Sequence, residues 1–195
     1  MFLTLMRRRL WLGSLIAAAC GLSVVRATPL AAQPSMVVLV RHAEKAAVPG
    51  DDPPLSELGI ARANDLWEAL RASPPSAIIG STRQRTTLTA AAVAKATGVV
   101  PQAISLDGGG AAHIAAVAAA VRAQRGVVLV VGHSNTVPAI IKALGGPTLP
   151  DICDATYSHL FVISMAPNSA PALVMTRYGA NEAAPPPSCA GMIPR

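Results

Sequence analysis

Aromatic residues are scarce in this chain: two each of Trp, Tyr and Phe among 195 residues, or 3 %. A stacking platform for nucleotide bases is therefore not expected. Cysteine is scarce too. There are three, and none falls in a CxxC pair or a His/Cys cluster with metal-ligand spacing, so neither a metal site nor another cofactor is expected. No apolar stretch reaches the ~20 residues needed to span a bilayer. Acidic residues are missing altogether from residues 1–32, which hold Arg7, Arg8, Arg9 and Arg26. The whole sequence has 16 Lys and Arg against 10 Asp and Glu, a charge of +6; after residue 32 the balance is 12 against 10, or +2. So small an excess does not imply nucleic acid or a membrane surface as partner.

Residues 1–32 have the layout of an export signal. Arg7-Arg8-Arg9 form a positive n-region, residues 10–19 an apolar h-region, and small residues follow. Leu30-Ala31-Ala32 before Gln33 offers a cleavage site, with Val25-Arg26-Ala27 as a rival. The arginines followed by Leu10-Trp11-Leu12 loosely fit a twin-arginine signal. Cys20 lacks the Leu three residues earlier that a lipoprotein site needs, so a lipidated form is not expected. The mature chain is thus expected in the periplasm or outside the cell, with no membrane span once the signal is removed. Residues 33–182 have the length of one domain, and the Pro-rich tail, residues 183–195, is expected to lack regular structure. Cys153 and Cys189 remain as an even pair in a chain bound for an oxidising compartment. They form a disulfide or stay two unrelated thiols, and spacing alone does not decide which.

The mature part alternates strand and helix signals. Met36-Val37-Val38-Leu39-Val40 and Val127-Val128-Leu129-Val130-Val131 are short continuous apolar runs, as expected for strands buried on both faces. Ala77-Ile78-Ile79-Gly80 and the weaker Ala103-Ile104-Ser105-Leu106 are further strands. Ile60, Ala63, Trp67 and Leu70 mark a helix over residues 56–72; an Ala/Thr-rich helix ends near Gly98, and Ile114, Val117 and Val121 mark a third. A fourth follows Gly132-His133-Ser134 and runs to about Leu144. Residues 160–165 and 172–178, around Ala166-Pro167-Asn168-Ser169, read as a hairpin. The expectation is an α/β three-layer sandwich: a mainly parallel sheet, helices on both faces and a C-terminal antiparallel hairpin.

Open parallel sheets bind ligands beyond the carboxyl ends of their strands. Three such ends carry unusual polar groups: Arg41-His42-Ala43-Glu44-Lys45, Ser81-Thr82-Arg83-Gln84-Arg85-Thr86 and Gly132-His133-Ser134-Asn135. Two histidines and at least two arginines converge on one crevice. Guanidinium groups bind phosphate oxygens in a planar, bidentate way. A His among arginines is disfavoured as a cation, and a neutral imidazole can attack phosphorus. A second His and the arginines would stabilise the charge of the transition state.

These blocks, with Leu55-Ser56-Glu57-Leu58-Gly59-Ile60-Ala61-Arg62-Ala63 between the first and second, resemble the histidine phosphatase (phosphoglycerate-mutase-like) superfamily. The RHAEK form of the nucleophile motif resembles its small, exported members. The resemblance implies that His42 becomes phosphorylated, that Arg41 and Arg85 bind phosphate, and that His133 completes the pocket. It places Ser56 near the phosphate as a substrate-binding hydroxyl. Arg83 falls outside the motif position and reads as a surface charge. The proton donor is left open between Asp107, Glu44 and a site with no protein acid, which suits an acidic leaving group. His113 reads as solvated at a helix start, and His159 as a surface or satisfied position. The implied activity is metal-independent hydrolysis of a small phosphorylated substrate, among them envelope sugar phosphates and phosphoproteins. The alternatives are a non-catalytic phosphate-binding or envelope interaction protein on the same fold, and a mutase-type phosphotransferase. The latter is disfavoured because no capping insertion follows Arg85.

Overall fold

Alternate residues of the run Val37-Val38-Leu39-Val40 point to opposite faces of a sheet, and all four are fully buried. In the computed structural model, which describes residues 33–165 and 169–193, this run is the middle of strand β1 (Pro34–Arg41). Residues 1–32, with the expected export signal, lie outside that description, as does most of the hairpin turn at Ala166-Pro167-Asn168. Then follow α1 (Glu57–Leu70), β2 (Ala77–Ser81), α2 (Gln84–Thr97), β3 (Gln102–Ile104) and α3 (Gly109–Arg122). The chain continues through β4 (Gly126–Gly132), α4 (Thr136–Ala143), β5 (His159–Ser164) and β6 (Ala172–Arg177).

The strands form one sheet in the order β3-β2-β4-β1-β5-β6. The first four are parallel, and β5 and β6 run antiparallel, in register from His159 with Arg177 to Ser164 with Ala172. Each face has its own core. Val37, Leu39, Val128 and Val130 meet Val117, Val121, Ile140 and Ile141 of α3 and α4. Val38, Val40, Leu129 and Val131 meet Leu66 and Leu70 of α1 and Ala90 and Val93 of α2. The side-chain period of two thus sorts one apolar run onto two helical layers, and the fold is the expected three-layer α/β sandwich.

This topology fixes where ligands can bind. The chain leaves β1 through a helix on one face and leaves β4, its neighbour, through a helix on the other. Such a divergence opens a crevice between the two carboxyl ends. Register does the rest: Arg41 pairs with Gly132, and the His42 amide donates to the Gly132 carbonyl at 2.9 Å. The two residues that follow these strands, His42 and His133, are therefore neighbours.

The tail departs from expectation. It carries a short 3-10 turn, Pro187–Cys189, and Ile193 is buried and bridges to Ile152. Cys189 is disulfide-bonded to Cys153, with Cα atoms 5.4 Å apart. Cross-link and apolar anchor together hold a segment whose composition alone suggested no structure. Because the Cys153 carbonyl also receives a hydrogen bond from Arg41, the cross-link bears on the crevice. Cys189→Ser is expected to destabilise the protein by roughly 3–4 kcal/mol, as the entropy of a 36-residue loop implies. It is also expected to raise KM for a phosphate ester, through a looser Arg41. Chemical denaturation with parallel kinetics checks both, and unchanged stability would contradict the expectation.

Candidate active site

His42 and His133 sit with ring centroids 5.4 Å apart in an edge-on arrangement. Both are almost fully buried, and both line a cleft of about 720 Å³ with Arg41, Lys45, Arg83 and Arg85. The crevice named from three strand ends is therefore one cavity.

The tautomer of His42 follows from its surroundings. Its Nδ1 lies 2.8 Å from the Ala43 carbonyl oxygen, which can only accept, so Nδ1 carries the proton. The lone pair is then on Nε2. Burial, first of all, lowers the pKa of His42 to about 3; the Ala43 hydrogen bond opposes this, while Arg41, His133 and Arg85 reinforce it. Neutral imidazole with a fixed, free Nε2 is the nucleophilic form. The loop that holds the ring is anchored as well. The Ala43 amide donates to Thr89 Oγ1 at 2.9 Å, and Thr89 donates in turn to the Arg85 carbonyl at 2.7 Å.

His133 is oriented from the other side. Arg85 Nη2 lies 3.4 Å from its Nδ1, and because guanidinium only donates, Nδ1 accepts. Its Nε2–H donates to Ser81 Oγ at 2.9 Å, and Ser81 passes a bond to Thr86 Oγ1 at 3.1 Å. Burial, then Arg85, His113, Arg41 and Arg83, lower the His133 pKa to about 4.

The folded pKa values of both histidines lie below the ordinary 6.5. As pH falls from 6.5 toward 4, the unfolded chain binds more protons than the native one, so the native state loses stability. The slope reaches about 1.4 kcal/mol per pH unit for each histidine. His42→Ala is expected to lose less stability than wild type between pH 7 and 4.5 in denaturant titrations. Equal losses would contradict the assignment.

Arg41 is buried and held by backbone. Nη1 donates to the carbonyls of Cys153 at 2.9 Å and Thr156 at 3.0 Å, and Nη2 to Asp154 Oδ1 at 3.1 Å. Its guanidinium carbon lies 4.2 Å from the centre of the Tyr157 ring. Its Nε is buried with no hydrogen-bond partner among the described residues. Arg85 is half-buried, with Asp52 at 3.5 Å. Asp52 also accepts from the Gln84 amide at the start of α2 and so ties the loop of residues 46–54 to that helix.

Other expected site residues lie elsewhere. Ser56 caps α1: its Oγ accepts from the Gly59 amide at 3.2 Å and donates to the Glu44 carbonyl at 3.3 Å. It is a capping residue and does not line the cleft. Asp107 does not line it either, although Leu106 and Gly110 do; its carboxylate accepts from Ser105 Oγ at 2.7 Å in an exposed turn. Glu44 is occupied by Arg62, whose Nε reaches its two oxygens at 2.9 and 3.0 Å. Neither expected acid is therefore placed to give a proton to a ligand. Arg83, expected at the surface, lines the cleft because β2 ends just before it. His113 is buried, not solvated, with Nδ1 3.1 Å from the Ser105 carbonyl. His159 is buried against Phe161, with ring centroids 5.8 Å apart.

Sequence reasoning gave no individual role to Thr89, Ser81, Thr86, Tyr157 or Asp154. Ser81, Thr86 and Thr89 share the segment of Arg85, so their place beside a phosphate-binding arginine was the available signal. Among the described residues no group of three His, Cys, Asp or Glu side chains could hold a metal ion, and no helix is long and apolar enough to cross a membrane.

The histidine phosphatase superfamily (branch 1) model matches residues 37–107. No curated protein sequence matches the chain. Among solved structures it is similar to a candidate phosphohistidine phosphatase SixA from Nakamurella multipartitia. The two are 26 % identical, with a TM-score of 0.53, over 74 % of this chain and 96 % of that one. A second SixA candidate, from Agrobacterium tumefaciens, is 26 % identical over 76 % of this chain and 99 % of that one, with a TM-score of 0.50. The fold is also that of a mycobacterial glucosyl-3-phosphoglycerate phosphatase solved with inorganic phosphate. There identity is 20 % over 75 % of this chain and 97 % of that one, with a TM-score of 0.51. Residues 37–107 thus match the histidine phosphatase superfamily (branch 1), and the described residues carry the fold of these solved structures.

Proposed function

We propose that the protein is a metal-independent phosphatase that hydrolyses a phosphomonoester or related phosphoryl compound through phosphohistidine on His42. The observation that carries this reading is the neutral His42, its Nε2 free, in a cleft with Arg41, Arg85 and His133. Nε2 attacks phosphorus in line, a P–N bond forms, and the bond to the leaving oxygen breaks. Arg41 and Arg85 neutralise the phosphoryl oxygens, and His133 lies beside them. Water then attacks the phosphohistidine, the P–N bond breaks, and orthophosphate leaves with His42 restored.

Glu44 and Asp107 are not placed to protonate the leaving oxygen, and Asp154 is engaged by Arg41. Asp51 is the other carboxylate that lines the cleft, and leaving groups that depart with little protonic help, such as aryl oxides or acidic phosphoryl carriers, place the least demand on it. The relatives named above carry different substrates in their descriptions, a phosphohistidine in one case and a glucosyl phosphoglycerate in another. The fold alone does not choose between them. The experiment is turnover of para-nitrophenyl phosphate in the presence of chelator, followed by a panel of phosphorylated metabolites and a phosphohistidine protein. Turnover that vanishes with chelator would overturn the metal-independent mechanism.

Export belongs to the same proposal. Its supports are the acid-free, arginine-led residues 1–32 and the Cys153–Cys189 disulfide, a bond suited to oxidising compartments. Sequencing the amino terminus of the protein recovered outside the cytoplasm is expected to begin near Gln33. A cytoplasmic protein starting at Met1 would contradict it.

A further inference from the structure

A cleft of about 720 Å³ is larger than one phosphoryl group requires, and its cations fall into two sets. Arg41 and Arg85 each face a carboxylate, Asp154 at 3.1 Å and Asp52 at 3.5 Å, and both belong to the phosphate pocket. Lys45 and Arg83 line the same cleft but differ. Among the described residues, neither side chain has a hydrogen-bond acceptor or an ion-pair partner. Arg83 is half-buried as a residue.

Position strengthens the contrast. Lys45 follows His42 by three residues on the nucleophile loop, and Arg83 precedes Arg85 by two at the entry to α2. Both loops leave strand ends that open on the crevice. The cleft wall carries four Lys and Arg residues against two carboxylates, Asp51 and Asp154. Asp154 is engaged by Arg41, which leaves Asp51 alone to offset Lys45 and Arg83. With a dianion on Arg41 and Arg85 the wall as a whole carries no net positive charge, but locally Lys45 and Arg83 hold one positive charge more than Asp51 offsets.

We propose that Lys45 and Arg83 form a second anion subsite, so that the preferred substrate is a phosphomonoester bearing a further oxyanion, carboxylate or phosphate. The proposal rests on the phosphatase reading for the first subsite and adds the substrate class. Guanidinium and ammonium groups bind such oxyanions through charge-assisted hydrogen bonds, whereas an amide of the same shape offers only neutral ones.

The test uses matched esters: 3- and 4-carboxyphenyl phosphate, each against its carbamoylphenyl counterpart. Binding is measured by calorimetry on His42→Ala, which leaves the ester intact, and kcat/KM on the wild-type enzyme. At least one carboxylate is expected to bind about 10- to 100-fold more tightly than its amide, with the preference shrinking as salt is raised. Adding Lys45→Ala and Arg83→Ala together is expected to bring that carboxylate down to the amide's level and to weaken the amide less than threefold. Equal binding of carboxylates and amides would overturn the proposal. So would a double variant that weakens both members of a pair alike, which would make these cations part of the general field. Turnover by wild type without the preference sinks the subsite alone. The preference without turnover of any ester upholds the subsite and sinks the phosphatase reading.

Discussion

Replacing His42 with Ala is expected to lower kcat/KM for para-nitrophenyl phosphate by about 10⁴- to 10⁶-fold, the scale on which covalent mechanisms fail without their nucleophile. The size of the effect follows from how completely the site is built around one atom. The Ala43 carbonyl accepts a hydrogen bond from Nδ1–H, with N and O 2.8 Å apart, so Nε2 is the nitrogen left to attack. The nearby His133 does not substitute. Its Nε2–H is committed to Ser81 at 2.9 Å and its Nδ1 faces Arg85. Phosphate binding should survive, because Arg41 is positioned by the carbonyls of Cys153 and Thr156 and not by His42. Orthophosphate is thus expected to bind the variant within about tenfold of wild type. Residual turnover above one-hundredth of wild type, in a folded variant, would contradict the nucleophile assignment.

Arg62→Ala is expected to destabilise the fold by roughly 3–5 kcal/mol, the cost of leaving buried charges without their partner. For a domain of this size that is a fall in Tm of about 6–20 °C. Arg62 is 4 % exposed and joins three parts of the chain. Nη2 meets Glu44 Oε1 at 2.7 Å and Glu182 at 3.5 Å, and Nη1 donates to the Tyr178 carbonyl at 3.1 Å. Glu182 in turn accepts from the Tyr157 amide and from Ser158 Oγ. Nucleophile loop, α1 and the segment after β6 are fastened through one guanidinium. Glu44→Gln separates this role from that of a proton donor. Bracing predicts a lower Tm with kcat within about tenfold and an unchanged alkaline limb of the pH profile. A proton donor would lose rate and alter that limb. A loss below 1 kcal/mol for Arg62→Ala would contradict the brace.

Close approach makes the same region intolerant of bulk. A Cβ at Gly59 would lie 2.2 Å from the Glu44 carbonyl oxygen, so α1 packs against the nucleophile loop only because that residue has no side chain.

What could be read from sequence was whatever short-range pattern records. The runs at residues 37–40 and 127–131 announce strands buried on both faces, and their length fixes the element without tertiary information. Each chemical block follows a strand directly, so its place at a strand end came with the strand. Long-range pairing left no such mark. Glu44 looked free as an acid because nothing near it shows that Arg62, eighteen residues on, takes its carboxylate. Asp107 shares a turn with Leu106, which lines the cleft, and only the direction of the turn excludes it. His113 is buried because its ring reaches the Ser105 carbonyl, a bond that helical periodicity does not predict. Arg83 seemed a surface charge, yet it lies between the end of β2 and the start of α2 and lines the cleft.

The central claim is a phosphoryl group carried by His42, and rapid quenching tests it most directly. Enzyme mixed with an aryl phosphate, stopped in alkali within one turnover and digested, is analysed by mass spectrometry. The account predicts one phosphoryl group on the peptide that contains His42, stable to alkali, lost in acid and absent from His42→Ala. A phosphoryl group on another residue, or its absence while the first turnover proceeds at full rate, would contradict it.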